Sequence, residues 1–231
     1  MHRSLVAFLA TLAIAQSAVA QDPAVQIEPS SKVPFPVEIT AVGSGDTHVL
    51  AGVAIRTKTF LKVKVYAFGI YVDETPARAT LSSYAGQSAR DLERNDAFYR
   101  RILDRDFAMT LRLVMTRDVD GETMADAFDG ALRPRVEHAA AEMNMPGGVA
   151  ALDTFRGYFS IEEMTKEAEL VFSCTPEGRL SSLVKGVQAA DIESNALCWA
   201  LFDTFLGEDP ISNGGKKTVI ANMPNILARG G

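Results

Sequence analysis

The chain has 231 residues, 47% of them hydrophobic and 23% charged, with a formal net charge of −6. That balance excludes a disordered, collagenous or disulfide-dense chain, and at about 150 residues per domain it leaves one large domain or two small ones. An acidic total without a Lys/Arg-rich block argues against a nucleic-acid partner held by phosphate neutralisation.

His2 and Arg3 precede an apolar run from Leu5 to Ala15, and Ala18-Val19-Ala20 is a small-x-small site before Gln21. Residues 1–20 therefore read as a signal peptide cleaved after Ala20, which predicts a periplasmic or secreted protein. A membrane span needs about 20 apolar residues, and neither this run nor any later stretch reaches that, so no transmembrane segment is expected. Residues 21–36, with Pro23, Pro29 and Pro34, read as an extended leader, and one domain is expected over 37–231.

The domain opens with strand patterns at Val37–Val42, His48–Arg56 and Phe60–Val72, the first two joined by a turn at Gly43-Ser44-Gly45-Asp46. In the third, Leu61, Val63, Val65 and Ala67 alternate with Lys62, Lys64, Tyr66, Phe68 and Ile70, so the second face passes from wet to dry along its length. Residues 75–105 read as helical and Phe107–Val114 as a strand. Met124, Phe128 and Leu132 then recur at four-residue steps, which predicts a helix over 121–132. Pro134 is expected to break it, with a second helix over 135–143 and another over 152–166. Glu167–Cys174, Arg179–Lys185 and Val187–Ile192 form a meander pattern, followed by a helix from Ser194 to Phe205. Strands flanking a helical middle favour an antiparallel α+β fold over a doubly wound one.

Cys174 and Cys198 sit among apolar neighbours at a spacing that matches no redox or metal motif. They read as buried free thiols, each packing as a small hydrophobe, with one structural disulfide as the alternative. His48 and His138 lie far from any second imidazole or thiolate ligand, so no metal site is expected. No nucleophile elbow, phosphate loop or zinc-protease motif occurs, and no cofactor is expected. Asp118, Asp120 and Glu122 lack the remaining positions of a calcium loop and read as acids at a helix N-terminus.

Two stretches carry a family resemblance. Leu50-Ala-Gly52-Val-Ala-Ile-Arg56 with Phe60-Leu-Lys62-Val-Lys-Val-Tyr66-Ala-Phe-Gly69-Ile-Tyr71-Val72, and Lys185-Gly186, Ile192, Ala200–Asp203 and Phe205–Ser212 at the far end, resemble the chalcone isomerase-like family. The resemblance implies an open-faced β-sandwich, a large antiparallel sheet covered by a layer of helices, with an apolar cleft between. Members of the family either cyclise chalcones or bind fatty acids. Arg56 matches the arginine both kinds share, and Tyr66 stands where the enzymes have Thr and the binders Tyr. The enzymes' active-site Tyr falls near Asp120 and their Asn near Ala127, and their remaining hydroxyl around Ala189 to Asp191.

These residues favour binding of a fatty acid or similar small amphiphilic acid without chalcone cyclisation. The alternative is an isomerase, an intramolecular lyase with Arg56 and Tyr66 as its catalytic residues. A guanidinium at the end of an apolar strand stays charged and needs an anion, and its donor fork fits a carboxylate. The ligand-binding residues are expected to be Arg56 and Tyr66 at the head, with Phe68, Phe128 and Leu132 along the chain. In the competing reading Arg56 pairs with a local carboxylate and Tyr66 is a packed aromatic. The hairpin loop decides part of this: centred on Lys58 it puts Arg56 and Tyr66 on one face, whereas a two-residue loop at Lys58-Thr59 puts them on opposite faces.

Overall fold

The computed structural model describes residues 24–58 and 63–229. The predicted signal segment and Phe60 to Lys62 of the third strand lie outside the described residues. Strand β1 (Val25–Ile27) pairs antiparallel with β2 (Pro34–Pro36). The stretch read as an extended leader thus folds back as a hairpin. Its Phe35 is fully buried against Leu50, Val53, Ala67, Tyr71 and Val114, because an apolar sheet face with no helices over it needs another cover.

Strands β3 (Glu38–Thr40), β4 (Thr47–Lys58) and β5 (Val63–Asp73) continue as an antiparallel meander. Three helices follow, α1 (Glu74–Thr80), α2 (Ala89–Glu93) and α3 (Asp96–Leu103). The Ser88 and Asn95 side chains cap the second and third by accepting from the backbone N–H groups of Asp91 and Phe98. Strand β6 (Met109–Met115) returns alongside β5, and the two-residue β7 (Val119–Asp120) leads into α4 (Gly121–Ala141).

Helix α4 runs through Pro134, where the sequence predicted a break. Proline inside a helix costs about 3 kcal/mol by displacing the carbonyl four residues back. That carbonyl belongs to Gly130, where a side chain would meet open space. Leu132 before the proline and Val136 and Ala139 after it are all fully buried, so continuing the helix keeps one apolar stripe on the sheet. Helix α5 (Val149–Gly157) is shorter than the predicted 152–166 segment, whose end forms β8 (Glu163–Met164) paired with β7.

Strands β9 (Glu169–Cys174), β10 (Arg179–Val184), β11 (Val187–Gln188) and β12 (Ile192–Glu193) precede α6 (Asn195–Leu206) and α7 (Asn213–Ala228). The main sheet has eight strands in the order β11-β10-β9-β6-β5-β4-β3, with β12 pairing β10. The helices cover one face and enclose the main core. The fold is therefore α+β, an antiparallel sheet under a helical layer.

Cys174 and Cys198 form a disulfide with their Cα atoms 5.9 Å apart, which corrects the reading of them as free thiols. Spacing along the chain does not show that the end of β9 lies under the first turn of α6. Both are buried, as their apolar neighbours imply, at 3% and 0% exposure.

Candidate ligand-binding site

Strand β4 carries an irregularity between Leu50 and Gly52 that resets its alternation. Leu50 turns to the hairpin side with Phe35, while Ala54 joins the helix-side core. At Gly52 a Cβ would sit 2.8–2.9 Å from the backbone of Thr218 and Val219, so only glycine lets α7 lie directly on the strand.

Two residues past Ala54, Arg56 stands directly opposite Tyr66, and Tyr66 stands opposite Met115 of β6. Strand β4 runs on to Lys58, which pairs with Val63 at the start of β5, so Lys58 is a strand residue and neither expected loop, one centred on Lys58 and one at Lys58-Thr59, is formed; residues 59–62 lie outside the described residues. Arg56 and Tyr66 thus share the helix-facing side.

A cavity of about 930 Å³ opens there, between the ends of β4 and β5 and the inner faces of α4 and α6. Arg56, Tyr66, Phe128 and Leu132 all line it, together with Val63, Val65, Met124, Leu201, Phe205 and Ile211. Phe68 does not. It is 1% exposed, edge-on to Phe205 with ring centroids 4.8 Å apart, and a Cβ on Gly215 would lie 2.3 Å from its ring. This corrects the prediction for Phe68: α7, which the sequence reading left unassigned, covers that part of β5. Phe128 is held from behind by Phe159, Phe155 and Phe172 at 4.9, 5.6 and 6.0 Å.

Arg56 Nη1 donates to the Ile211 carbonyl at 2.5 Å. Among the described residues no carboxylate oxygen lies within 4.0 Å of its guanidinium, so the local ion pair of the competing reading is absent from them. Burial raises the pKa of the Tyr66 phenol, and the positive charge of Arg56 opposes only part of that rise. Tyr66 therefore stays protonated and presents a hydroxyl donor next to a cation.

Asp120 and Ala127, where the enzymes' Tyr and Asn fall by resemblance, also line the cavity. Tyr66 is its only phenol, and no Asn or Gln faces it among the described residues. Asp120 accepts the Thr123 N–H at 2.8 Å as the cap of α4, Asp118 accepts the Lys166 N–H at 2.6 Å, and Asp126 pairs with Arg156 at 2.6 Å. Residues 189–191 lie away from the cavity. Its buried hydroxyl is that of Thr204 on α6, which donates to the Ala200 carbonyl at 2.8 Å and leaves its oxygen free to accept.

Thr204, Arg135 and the Ile211 carbonyl were missed by the sequence reading. Only Ile211 left a signal, since it lies in the stretch Phe205–Ser212 that carries the resemblance; Thr204 and Arg135 lie outside that stretch, on α6 and α4. In chemical terms the site is a chamber with an apolar inner wall, where the half-buried Arg56 guanidinium has no ion-pair partner among the described residues and lies beside the neutral Tyr66 phenol, while the exposed Lys58 and Arg117 and four Asp side chains line its rim; the Arg56–Tyr66 pair suits the acidic end of an amphiphile.

A helix-covered antiparallel sheet enclosing such a chamber defines a class of proteins that includes both binders and enzymes. The family model described as "Chalcone isomerase like" matches residues 46–220, and the chain belongs to that family. It is 31% identical over 206 residues to a chalcone–flavanone isomerase of Oryza sativa subsp. japonica, covering 84% of this chain and 88% of that protein. It is 24% identical over 231 residues to fatty-acid-binding protein 1 of Arabidopsis thaliana, covering 97% and 77%. The crystal structure of an Arabidopsis thaliana fatty-acid binding protein superposes with a TM-score of 0.75 at 23% identity, covering 88% of this chain and 99% of that one.

Proposed function

We propose that the protein binds a fatty acid or a similar small amphiphilic acid and does not cyclise chalcones. The observation that carries this reading is Arg56, a fixed cation on the cavity wall whose partner among the described residues is a neutral carbonyl. A half-buried charge without a counter-charge loses part of its hydration, and a carboxylate bridging Arg56 and the Tyr66 hydroxyl offsets that loss. Behind the head, Met124, Phe128, Leu132, Leu201 and Phe205 offer an apolar wall, and each methylene buried there contributes about 0.8 kcal/mol before ordering costs. Two of the relatives are named as fatty-acid-binding proteins.

The cavity lacks the phenol and amide that the resemblance assigns to the enzymes at Asp120 and Ala127, which leaves little to stabilise a developing enolate. The second reading, an isomerase of unidentified substrate, draws on the likeness to the rice isomerase and on Thr204, a hydroxyl of the helical wall lining the same cavity as Arg56. In that case Arg56 stabilises the negative charge and Tyr66 gives a proton or orients water. We also propose export: the Cys174–Cys198 bridge supports an oxidising compartment. A mature N-terminus at Gln21 in the exported fraction tests it.

Native mass spectrometry of the protein purified from its own host, followed by titration with saturated acids of increasing length, tests the binding reading. A bound acid and an affinity that rises with chain length are expected. An empty protein that takes up no added acid refutes binding. Saturable turnover of chalcone above the spontaneous rate, abolished by Arg56→Ala, replaces it with the enzyme.

A further inference from the structure

Between α6 and α7 the chain crosses the head of the cavity, and three of its carbonyls are each taken by a cation from a different element. Lys216 Nζ of α7 donates to Gly207 at 2.7 Å, Arg135 Nη2 of α4 to Asp209 at 2.6 Å, and Arg56 Nη1 of β4 to Ile211 at 2.5 Å. The backbone N–H groups of Gly207 and Ile211 are bonded back to the carbonyls of Asp203 and Thr204, so the strap is anchored to the last turn of α6. Cations belong at that end of a helix, where carbonyls lack intrahelical partners and carry partial negative charge.

The three cations are not equivalent. Arg135 also holds Asp203 through Nε at 2.8 Å and the Ala131 carbonyl through Nη1 at 2.9 Å, so it has a counter-charge and a bond at each of its three nitrogens. Lys216 lies in the field of Asp96, Asp203 and Glu208 and sits 3.8 Å above the Tyr99 ring. Arg56 alone has no such compensation among the described residues, and it is the one aligned with Tyr66.

We propose that Arg135 is a positioning residue for the anion site, acting through the strap: it fixes the Asp209 carbonyl, the strap then fixes the Ile211 carbonyl, and that carbonyl fixes which Arg56 donors face the ligand. The inference rests on Arg56 being the ligand's anchor. It goes further in naming what aims that anchor, and in making head-group selectivity depend on a cavity-lining residue each of whose three side-chain nitrogens is bonded inside the protein. Arginine is required at position 135 because its fork spans Asp203, Ala131 and Asp209 at once. A lysine keeps the charge and the Asp203 pair but has one compact head.

The test uses nitrogen NMR of the arginine side chains in the unliganded protein, with the Arg56 signals assigned from Arg56→Lys. Slow rotation of the Arg56 guanidinium, seen as resolved Nη signals, is expected in the wild type. In Arg135→Lys those signals are expected to merge while the melting temperature shows a folded protein. Lys216→Met releases the strap from its other end, and it is read in the same way if Arg135→Lys does not fold. In parallel, dodecanoate affinity is expected to fall about tenfold in the variant, the worth of one misaligned charge-assisted bond, with dodecanol affinity unchanged. Arg56 signals that stay resolved in the folded variants, or equal losses for acid and alcohol, overturn the proposal. A wild type that binds neither probe refutes the binding reading instead, and the NMR comparison still decides whether Arg135 aims Arg56.

Discussion

Replacing both Cys174 and Cys198 with alanine removes a cross-link between residues 24 positions apart. In the chain-entropy account, closing a loop of that length stabilises the fold by roughly 3 kcal/mol, because the unfolded chain loses freedom it otherwise has. For a domain of this size each kcal/mol moves the melting temperature by about 2–4 °C, so a drop of roughly 6–12 °C is expected by calorimetry. The two sulfurs are buried, and their loss adds a small cavity cost of the same sign. The unmutated protein unfolded in guanidinium without reductant is expected to show no titratable thiol. Two reactive thiols, or a double variant that melts within 2 °C of the parent, refute the covalent link between β9 and α6.

Burial holds the His48 imidazole down at about 4, with Asp46 opposing the shift, while the Thr110 hydroxyl lies 2.9 Å from Nδ1. The unfolded chain therefore takes up a proton near pH 6.5 and the folded one does not. Stability is complete above that pH and falls towards pH 4, by no more than roughly 3 kcal/mol. Urea unfolding of the parent and His48→Asn across this range checks it, and an equal slope in both contradicts it. Gly52→Ala is expected to cost about 1–3 kcal/mol, since the new methyl meets the α7 backbone, which yields less readily than a side-chain end. Tyr66→Phe keeps the packing and removes one donor at the head, so fatty-acid affinity measured by titration is expected to fall about three- to tenfold with little change in stability.

The fold and the head of the site were legible because they rest on local pattern. The alternation through Tyr66, Phe68 and Ile70 gives the helix-facing side of β5, and the four-residue steps of Met124, Phe128 and Leu132 give the inner face of α4. What was not legible depends on partners distant in sequence. Phe68 has the right face for the cavity, but α7 fills the space above it. That helix was hidden by Gly214-Gly215 at its start and Pro224 inside it, although Val219, Ile220, Met223, Ile226 and Leu227 are all buried. Phe35 sits among prolines that suggest a free leader, and only the bare sheet face explains why it is buried. The Cys174–Cys198 bond and the contact from Arg56 to Ile211, 155 positions apart, likewise depend on how the sheet and helices stack.

The most direct measurement is calorimetric titration of a long-chain fatty acid into the parent protein and into Arg56→Gln. Loss of a charge-assisted head contact worth about 2 kcal/mol predicts roughly 30-fold weaker binding in the variant, with the gain per added methylene unchanged. Equal affinity in the two proteins contradicts the assignment of Arg56 as the anchor of an acidic head.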